Sequence, residues 1–190
     1  MIQQTVAEMI DGMAEASHCE AGAAIALSGA LAAALAKATA NVTLMLATAA
    51  DTIEFSRNMQ VSMAAAHLRF QAIATEDAQA IGEFVRLREG GQPLKGYQLL
   101  CDGPQEMAHL ALDAATHMQT YRAFVCERTR DDLEFALTLM IGTAQAALQL
   151  LDSNLRIWPL PELLAQYDAA VNQLSTRIAQ LTPRQRIREM

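Results

Sequence analysis

Apolar and polar residues alternate along most of this chain with the spacing of α-helices. Near the amino terminus, apolar side chains recur every three or four positions, at Ile2, Val6, Met9, Ile10 and Met13. This spacing places them on one face of a first amphipathic helix. The segment "SHCEAG" that follows interrupts the pattern. Nothing in the chain has the two-residue period that a half-buried β-strand would show.

A second helix is predicted from an alanine-rich stretch. Residues 21–50 contain 14 alanines and a single charged residue, Lys37. Small residues recur every four positions beside a ridge of leucines, namely Gly22, Ala26, Ala30, Ala34 and Ala38 beside Leu27, Leu31 and Leu35. Because small side chains let another backbone approach closely, we expect this helix to be wrapped on most sides, with a second subunit as one neighbour. Its uncharged part is shorter than the about 20 residues that a membrane span needs, so we expect no membrane contact.

Four further helices are predicted by the same spacing. They run over Asp51–Arg88, Cys101–Phe124, Leu133–Arg156 and Pro161–Leu181. The segment "EGGQPLKGYQ", residues 89–98, is expected to be a loop because it concentrates glycine and proline. Pro104 is expected in the first turn of the fourth helix, where its missing N–H is not needed. Short connections between long helices indicate an all-α antiparallel bundle of about six helices. We expect one helical domain over residues 1–182 and a basic tail over residues 183–190.

Charge and cysteine content argue against several classes of partner and site. The chain of 190 residues has a formal net charge of −7, with acidic and basic residues mixed along it. Such a balance argues against nucleic acid as a partner, and the arginines at 184, 186 and 188 are expected to form a solvated end. Three widely spaced cysteines, Cys19, Cys101 and Cys126, indicate neither a disulfide framework nor a zinc site. An amino terminus without basic residues is not a signal peptide, so we expect a cytoplasmic protein.

A stripe of possible metal ligands lies on the fourth predicted helix. Glu106, His109, Asp113 and His117 share one helical face, and "EMAH" has the Glu-x-x-His spacing of di-iron bundles. "EASH", residues 15–18, repeats that spacing. A solvent-facing stripe of acids and imidazoles explains the same residues. We favour this second interpretation and expect no metal.

Two pairs of neighbouring carboxylates are candidates for acid–base chemistry. Glu76 and Asp77 lie in "TEDAQAIGEF", and Asp131 and Asp132 lie at the start of a helix. Adjacent residues on a helix point about 100° apart, so one acid of each pair can cap or be solvated while the other faces a pocket. A buried carboxylate has a raised pKa and can act as a general base. Neither a GxGxxG nor a GxxxxGK loop is present, so no tightly bound nucleotide is expected.

Four segments follow one another in an order that resembles the cyclodeaminase/cyclohydrolase family. "AIALSGALAAALAKATANVT" is similar to a family helix like "VAALAGALGAALAAMVANLT", and "TEDAQAIGEF" is similar to "DEDAEAF". "GPQEMAHLALDAA" and "RDDLEFALTLMIGTAQAALQLLDSNL" are similar to the family stretches "VPLEVAELALEVL" and "SDVGVAALLAEAALEGALLNVRINL". The family includes the cyclodeaminase part of formiminotransferase-cyclodeaminase and the methenyltetrahydrofolate cyclohydrolases. The resemblance covers about residues 2–155.

The resemblance implies an all-helical homodimer whose small-molecule substrate is a tetrahydrofolate derivative, with no tightly bound cofactor. Such enzymes open or close the one-carbon bridge between two ring nitrogens, by hydrolysing 5,10-methenyltetrahydrofolate or by releasing ammonia from 5-formiminotetrahydrofolate. The residues that align with the family's acids are Asp77 and Asp132, which the resemblance implies are catalytic. It implies ligand binding for Gly22, Asn41 and Glu76.

Three departures from the family pattern keep two hypotheses open. The family loop "TPGGGS" is replaced by "SHCEAGA", which keeps only Gly22 and introduces Glu20. The basic "GKKKY"-like segment becomes "LMLATAAD", and "NVRINL" becomes "LLDSNL", which places Asp152 where a cation is expected. Each change removes hydrogen-bond donors or positive charge. The chain is therefore either an enzyme acting on a folate or related pterin, or a non-catalytic helical dimer that serves as a binding or assembly module.

Overall fold

The structure is a computed structural model that describes residues 5–15, 20–184 and 186–189, and the described residues contain helices and no strand. Their α-helices are α1 (Val6–Glu15), α2 (Ala21–Leu46), α3 (Ala50–Glu89), α4 (Pro93–Tyr121), α5 (Arg130–Ile157) and α6 (Pro161–Ala179). Single 3₁₀ turns cover Glu127–Thr129 and Ile187–Glu189. The predicted all-α bundle is confirmed.

Helix α2 lies at the centre of the bundle, against α3, α4 and α5. Its buried side chains are all small, namely Gly22, Ala23, Ala26, Gly29, Ala30, Ala32, Ala33, Ala36, Thr39, Ala40 and Thr43. At Gly29 an added Cβ would lie 2.7 Å from the ring of Phe70, which is fully buried. The alanine-rich composition therefore follows from close helix packing.

Helices α2 and α5 run antiparallel. The hydroxyl oxygen of Thr43, near the end of α2, accepts a hydrogen bond of 3.1 Å from the backbone N–H of Cys126, just before α5. At the opposite end, Gly22 of α2 lines a recess together with Leu150 and Asn154 of α5. The first turn of α2 and the last turns of α5 are thus brought together.

The start of α4 differs from the prediction. The predicted loop over residues 89–98 shrinks to residues 90–92, where Gly91 has a φ of +74°, and Pro93 rather than Pro104 occupies the first turn. Pro104 is buried inside α4 and cannot donate to the carbonyl of Leu100. The side-chain amide of Asn154 donates to that carbonyl instead, at 2.7 Å. A partner on another helix therefore makes this internal proline tolerable.

The segment after α6 is held against the bundle by a buried ion pair. Arg122 binds both carboxylate oxygens of Glu134, at 2.5 and 2.7 Å, and donates to the carbonyl of Thr182 at 2.8 Å. The backbone N–H of Arg184 lies 3.4 Å from the Glu134 carboxylate. The start of the predicted basic tail therefore contacts the domain.

Two helical segments, Ala21–Leu46 and Glu127–Ile157, are long and apolar enough to cross a membrane by length and composition. In each case about half of the most apolar window is buried inside the bundle, 44% and 50% respectively. Core helices of soluble proteins pass the same test, so these two helices are weak evidence for a membrane span.

Candidate functional site

Four helices enclose a recess of about 170 Å³ at the amino-terminal end of α2. Its lining combines a few polar groups with apolar walls, from Glu20, Ala21, Gly22, Asp77, Ile81, Leu100, Pro104, Leu150, Asn154 and Trp158. Concave sites of this kind, with few polar groups among apolar walls, are typical of ligand pockets. Among the described residues, the lining includes two acids and no basic side chain.

The carboxylate of Asp77 reaches from α3 to the first turn of α2. Its Oδ2 atom accepts a hydrogen bond of 2.9 Å from the backbone N–H of Ala23. Helix α2 has no side-chain cap of its own at Glu20, so Asp77 satisfies one of the N–H groups that a helix start leaves free. The approach requires glycine at position 22, because a Cβ there would lie 2.1 Å from Asp77 Oδ1. The structure thus brings together two of the residues predicted from sequence.

The environment of Asp77 favours its protonated form. Burial raises the pKa of Asp77 above the usual value of 3.8, and the nearby carboxylate of Glu20 raises it further, while the hydrogen bond from Ala23 opposes both effects. A carboxyl group whose pKa lies closer to neutrality exchanges protons more readily near pH 7. Asp77 is therefore suited to general acid–base chemistry.

Glu76 lies outside the recess. Its exposed carboxylate binds Arg69 at 2.7 Å, and the same arginine binds Glu106 on α4 at 2.6 Å. The 100° turn between adjacent helical residues separates Glu76 from Asp77. Asp77 thus faces the pocket, whereas Glu76, for which the resemblance implied ligand binding, is held in a surface ion pair outside it.

Asn41 and Asp132 lie at the other end of the bundle. The side-chain oxygen of Asn41 accepts a hydrogen bond of 2.7 Å from Gln60, and Asp132 lies in the first turn of α5. Nineteen residues of α2 separate Asn41 from Gly22, which corresponds to about 28 Å along the axis. Because α5 is antiparallel to α2, Asp132 is near the Asn41 end. One subunit does not bring these two residues to Asp77.

The two acids in the stripe of possible metal ligands on α4 form ion pairs with arginines of other helices. Glu106 binds Arg69, and Asp113 lies 3.3 Å from Arg177. Within the described ranges, no group of three or more histidine, cysteine or acidic side chains is placed to hold a metal ion. His18, part of the repeated "EASH" spacing, lies outside the described residues. The acids of the stripe act here as partners in surface ion pairs.

Much of the recess wall was not predicted from sequence. It includes Pro104, Asn154 and Trp158, and the Trp158 ring packs against Tyr97 and Phe84, at centroid distances of 5.1 and 5.6 Å. Asn154 lies in the segment "LLDSNL", where the sequence drew attention to Asp152 instead. Asp152 is exposed and does not line the recess. The asparagine two positions later supplies the polar group in the wall of the recess.

The fold is similar to that of a protein of known structure. The structure of a formiminotetrahydrofolate cyclodeaminase from Thermotoga maritima superposes with a TM-score of 0.75 at 19% sequence identity, over 95% of this chain and 96% of that one. A search of curated protein sequences finds no match. The sequence model described as formiminotransferase-cyclodeaminase matches residues 5–173. The chain therefore belongs to the formiminotransferase-cyclodeaminase family.

Proposed function

We propose that this protein acts on the C–N one-carbon bridge of a reduced folate or related pterin, at the recess around Asp77. The observation that carries the proposal is a half-buried carboxylate with a raised pKa in a pocket of a cyclodeaminase-family fold. The reaction is either the hydrolysis of a methenyl bridge or the release of ammonia from a formimino group. Both make or break a bond at an amidine-type carbon.

Asp77 would serve either reaction as the group that moves protons. In hydrolysis, water attacks the bridge carbon, and the carboxylate takes the proton that the water loses. In deamination, the arylamine nitrogen of the folate attacks the formimino carbon and loses its proton, and the departing nitrogen must be protonated to leave as ammonia. One carboxylate can accept the first proton and then donate a proton to the departing nitrogen.

The charge of the recess supports a substrate with a cationic reacting end. Glu20 and Asp77 both line the recess, and no lysine or arginine within the described part of the chain does so. A methenyl bridge and a protonated formimino group both carry positive charge, which carboxylates stabilise in a site shielded from water. The glutamate end of a folate would then extend away from these two acids.

The test is turnover by the purified protein of each substrate in turn. We expect methenyltetrahydrofolate to disappear faster than in buffer, or formiminotetrahydrofolate to release ammonia, and product analysis identifies which reaction occurs. A buffer blank is required because the methenyl compound also hydrolyses unaided. Failure to accelerate either reaction in folded protein would contradict the enzyme hypothesis.

A second candidate function is a non-catalytic dimer that serves as a binding or assembly module. The observation that favours it is the position of Glu20, which replaces family glycines at the mouth of the recess and adds negative charge beside Asp77. A site in which a side chain replaces glycine and adds an acid leaves less room beside the backbone and repels negative charge, so it binds an anionic folate less well. Ligand binding without turnover in folded protein would favour this candidate.

We also propose that the protein forms a homodimer through an exposed stripe on α2. Leu31 and Met45 are 62% and 75% exposed. The same face of α2 also exposes Ala24, Ser28 and Ala38. These residues are three, four or seven positions apart, which is the spacing of the seam by which helices of two chains pack. This stripe is the part of α2 that its own bundle leaves uncovered.

The mass in solution tests the dimer. Light scattering at micromolar concentration is expected to give twice the chain mass of 20.6 kDa. Leu31→Glu should shift the mass toward the monomer, because it places charge on an apolar seam. Leu94→Glu, at an exposed position on α4, is the matched control and should leave the mass unchanged. A monomeric wild-type protein would contradict the proposal.

A further inference from the structure

The amide of Asn154 is held in one orientation by the main chain of α4. Its Nδ2 atom donates to the carbonyl oxygen of Leu100 at 2.7 Å. That carbonyl lacks a helical partner because the residue four positions later is Pro104, which has no N–H. A carbonyl can only accept, so the NH₂ group of Asn154 must face it, and a flipped amide would place two acceptors against each other.

The fixed orientation decides what Asn154 offers to a ligand. With Nδ2 engaged, the Oδ1 atom accepts no hydrogen bond from any described residue and remains available in a side chain that lines the recess. Asp77 also offers acceptors from the facing helix, with only its Oδ2 atom engaged by Ala23. Glu20 adds a third side chain that carries acceptor oxygens.

We propose that Asn154 is a ligand-contacting residue, oriented by Pro104 and Leu100, that completes a recess lined by hydrogen-bond acceptors and thereby selects ligands bearing N–H donors. The proposal deepens the proposed function, since it rests on this recess being the ligand site. A protonated formimino group fits the acceptor set, because its N–H groups meet oxygen atoms and its charge meets carboxylates. A methenyl bridge carries the charge but no N–H group. A neutral carbonyl compound of the same shape would place its oxygen against acceptors and lose those bonds.

Simple probes separate the two kinds of ligand without requiring turnover. Benzamidine and benzamide have the same ring. Benzamidine carries a charged N–C–N group, whereas benzamide carries a neutral amide. Trp158 lines the recess and is the chain's single tryptophan, so its fluorescence reports binding directly. We expect wild-type protein to bind benzamidine more tightly than benzamide.

A pair of variants separates the ligand contact from the structural role of Asn154. Pro104→Ala restores an N–H that can pair with the Leu100 carbonyl, so in the double variant Pro104→Ala/Asn154→Leu no carbonyl is left unsatisfied. Pro104→Ala alone is the background for comparison: it is expected to keep part of the preference for benzamidine because Asn154 is still present, although the Leu100 carbonyl no longer fixes the amide in one orientation. The double variant is expected to lose about tenfold or more of that preference, the effect of removing one hydrogen bond to a charged group.

Each outcome decides for or against the proposal. A double variant that is folded by circular dichroism and has lost the preference supports the ligand contact. A double variant with the preference of Pro104→Ala would mean that Asn154 only satisfies Leu100, and it would overturn the proposal. Equal binding of both probes by wild-type protein would overturn it too. The proposed function is judged separately by turnover, so a preference for benzamidine in a protein without turnover would leave this inference standing.

Discussion

Replacement of Asp77 by asparagine is expected to lower turnover about 100-fold or more, the usual contribution of a general acid–base group. Asparagine has nearly the same shape and can still accept the hydrogen bond from Ala23, but it cannot take or return a proton. The loss should therefore appear in kcat more than in KM. Steady-state kinetics on whichever folate the wild-type protein converts is the measurement. Glu76→Gln, one residue away and outside the recess, should retain turnover.

The same substitution is expected to change how the free energy of unfolding depends on pH. Because the folded-state pKa of Asp77 is raised above 3.8, the stability it contributes is fully present below the unfolded pKa and is lost as pH rises through the folded pKa. Asp77→Asn should therefore be at least as stable as wild type at pH 7, and the difference should shift in favour of wild type as pH falls toward 3.8. Urea unfolding of both proteins across this range measures it. A variant that is less stable at pH 7 would show that the charged carboxylate is needed as a cap.

Removal of the Arg122 side chain is expected to destabilise the fold by about 3–5 kcal/mol. Arg122→Ala leaves the carboxylate of Glu134, whose side chain is 3% exposed, without its two charged hydrogen bonds. It also removes the donor to the Thr182 carbonyl, which holds the segment after α6. Thermal and urea unfolding should both report the loss.

Two controls identify the unpaired charge as the cause. Arg86→Ala removes an arginine from an exposed ion pair with Glu83, and such pairs contribute little. The double variant Arg122→Met/Glu134→Leu removes both charges and should recover much of the lost stability, because no buried carboxylate is left unpaired. A loss below about 1 kcal/mol for Arg122→Ala would contradict the account, since even an exposed pair can contribute that much.

The helices were predictable because local spacing decides them. The alanine content of residues 21–50 indicated close packing, and the structure places α2 among three helices. The start of α4 was not predictable in the same way, because the donor that compensates Pro104 is Asn154, fifty residues further along the chain. Judged from neighbouring residues alone, a proline indicates the first turn of a helix. Pro104 is tolerated inside α4 because the amide of a residue distant in sequence replaces its missing N–H.

Part of the candidate site could be predicted, namely the residues whose type suggested a role in a site. Asp77 and Gly22 were predicted, and a close approach between them explains why glycine is retained at a position where neighbouring family glycines are replaced. Asn154 and Trp158 were missed because neither residue type indicates a pocket until helices α4 and α5 are packed together. Asn41 and Asp132 lie at the other end of α2, so a role for them beside Asp77 would need a second subunit.

Turnover is the decisive measurement, with wild-type protein, Asp77→Asn and buffer side by side: 5,10-methenyltetrahydrofolate is followed by absorbance and 5-formiminotetrahydrofolate by the release of ammonia. We expect the wild-type protein to accelerate one of the two reactions and the variant to give a rate near that of buffer. Acceleration that survives in Asp77→Asn would contradict the assignment of the recess around Asp77 as the active site.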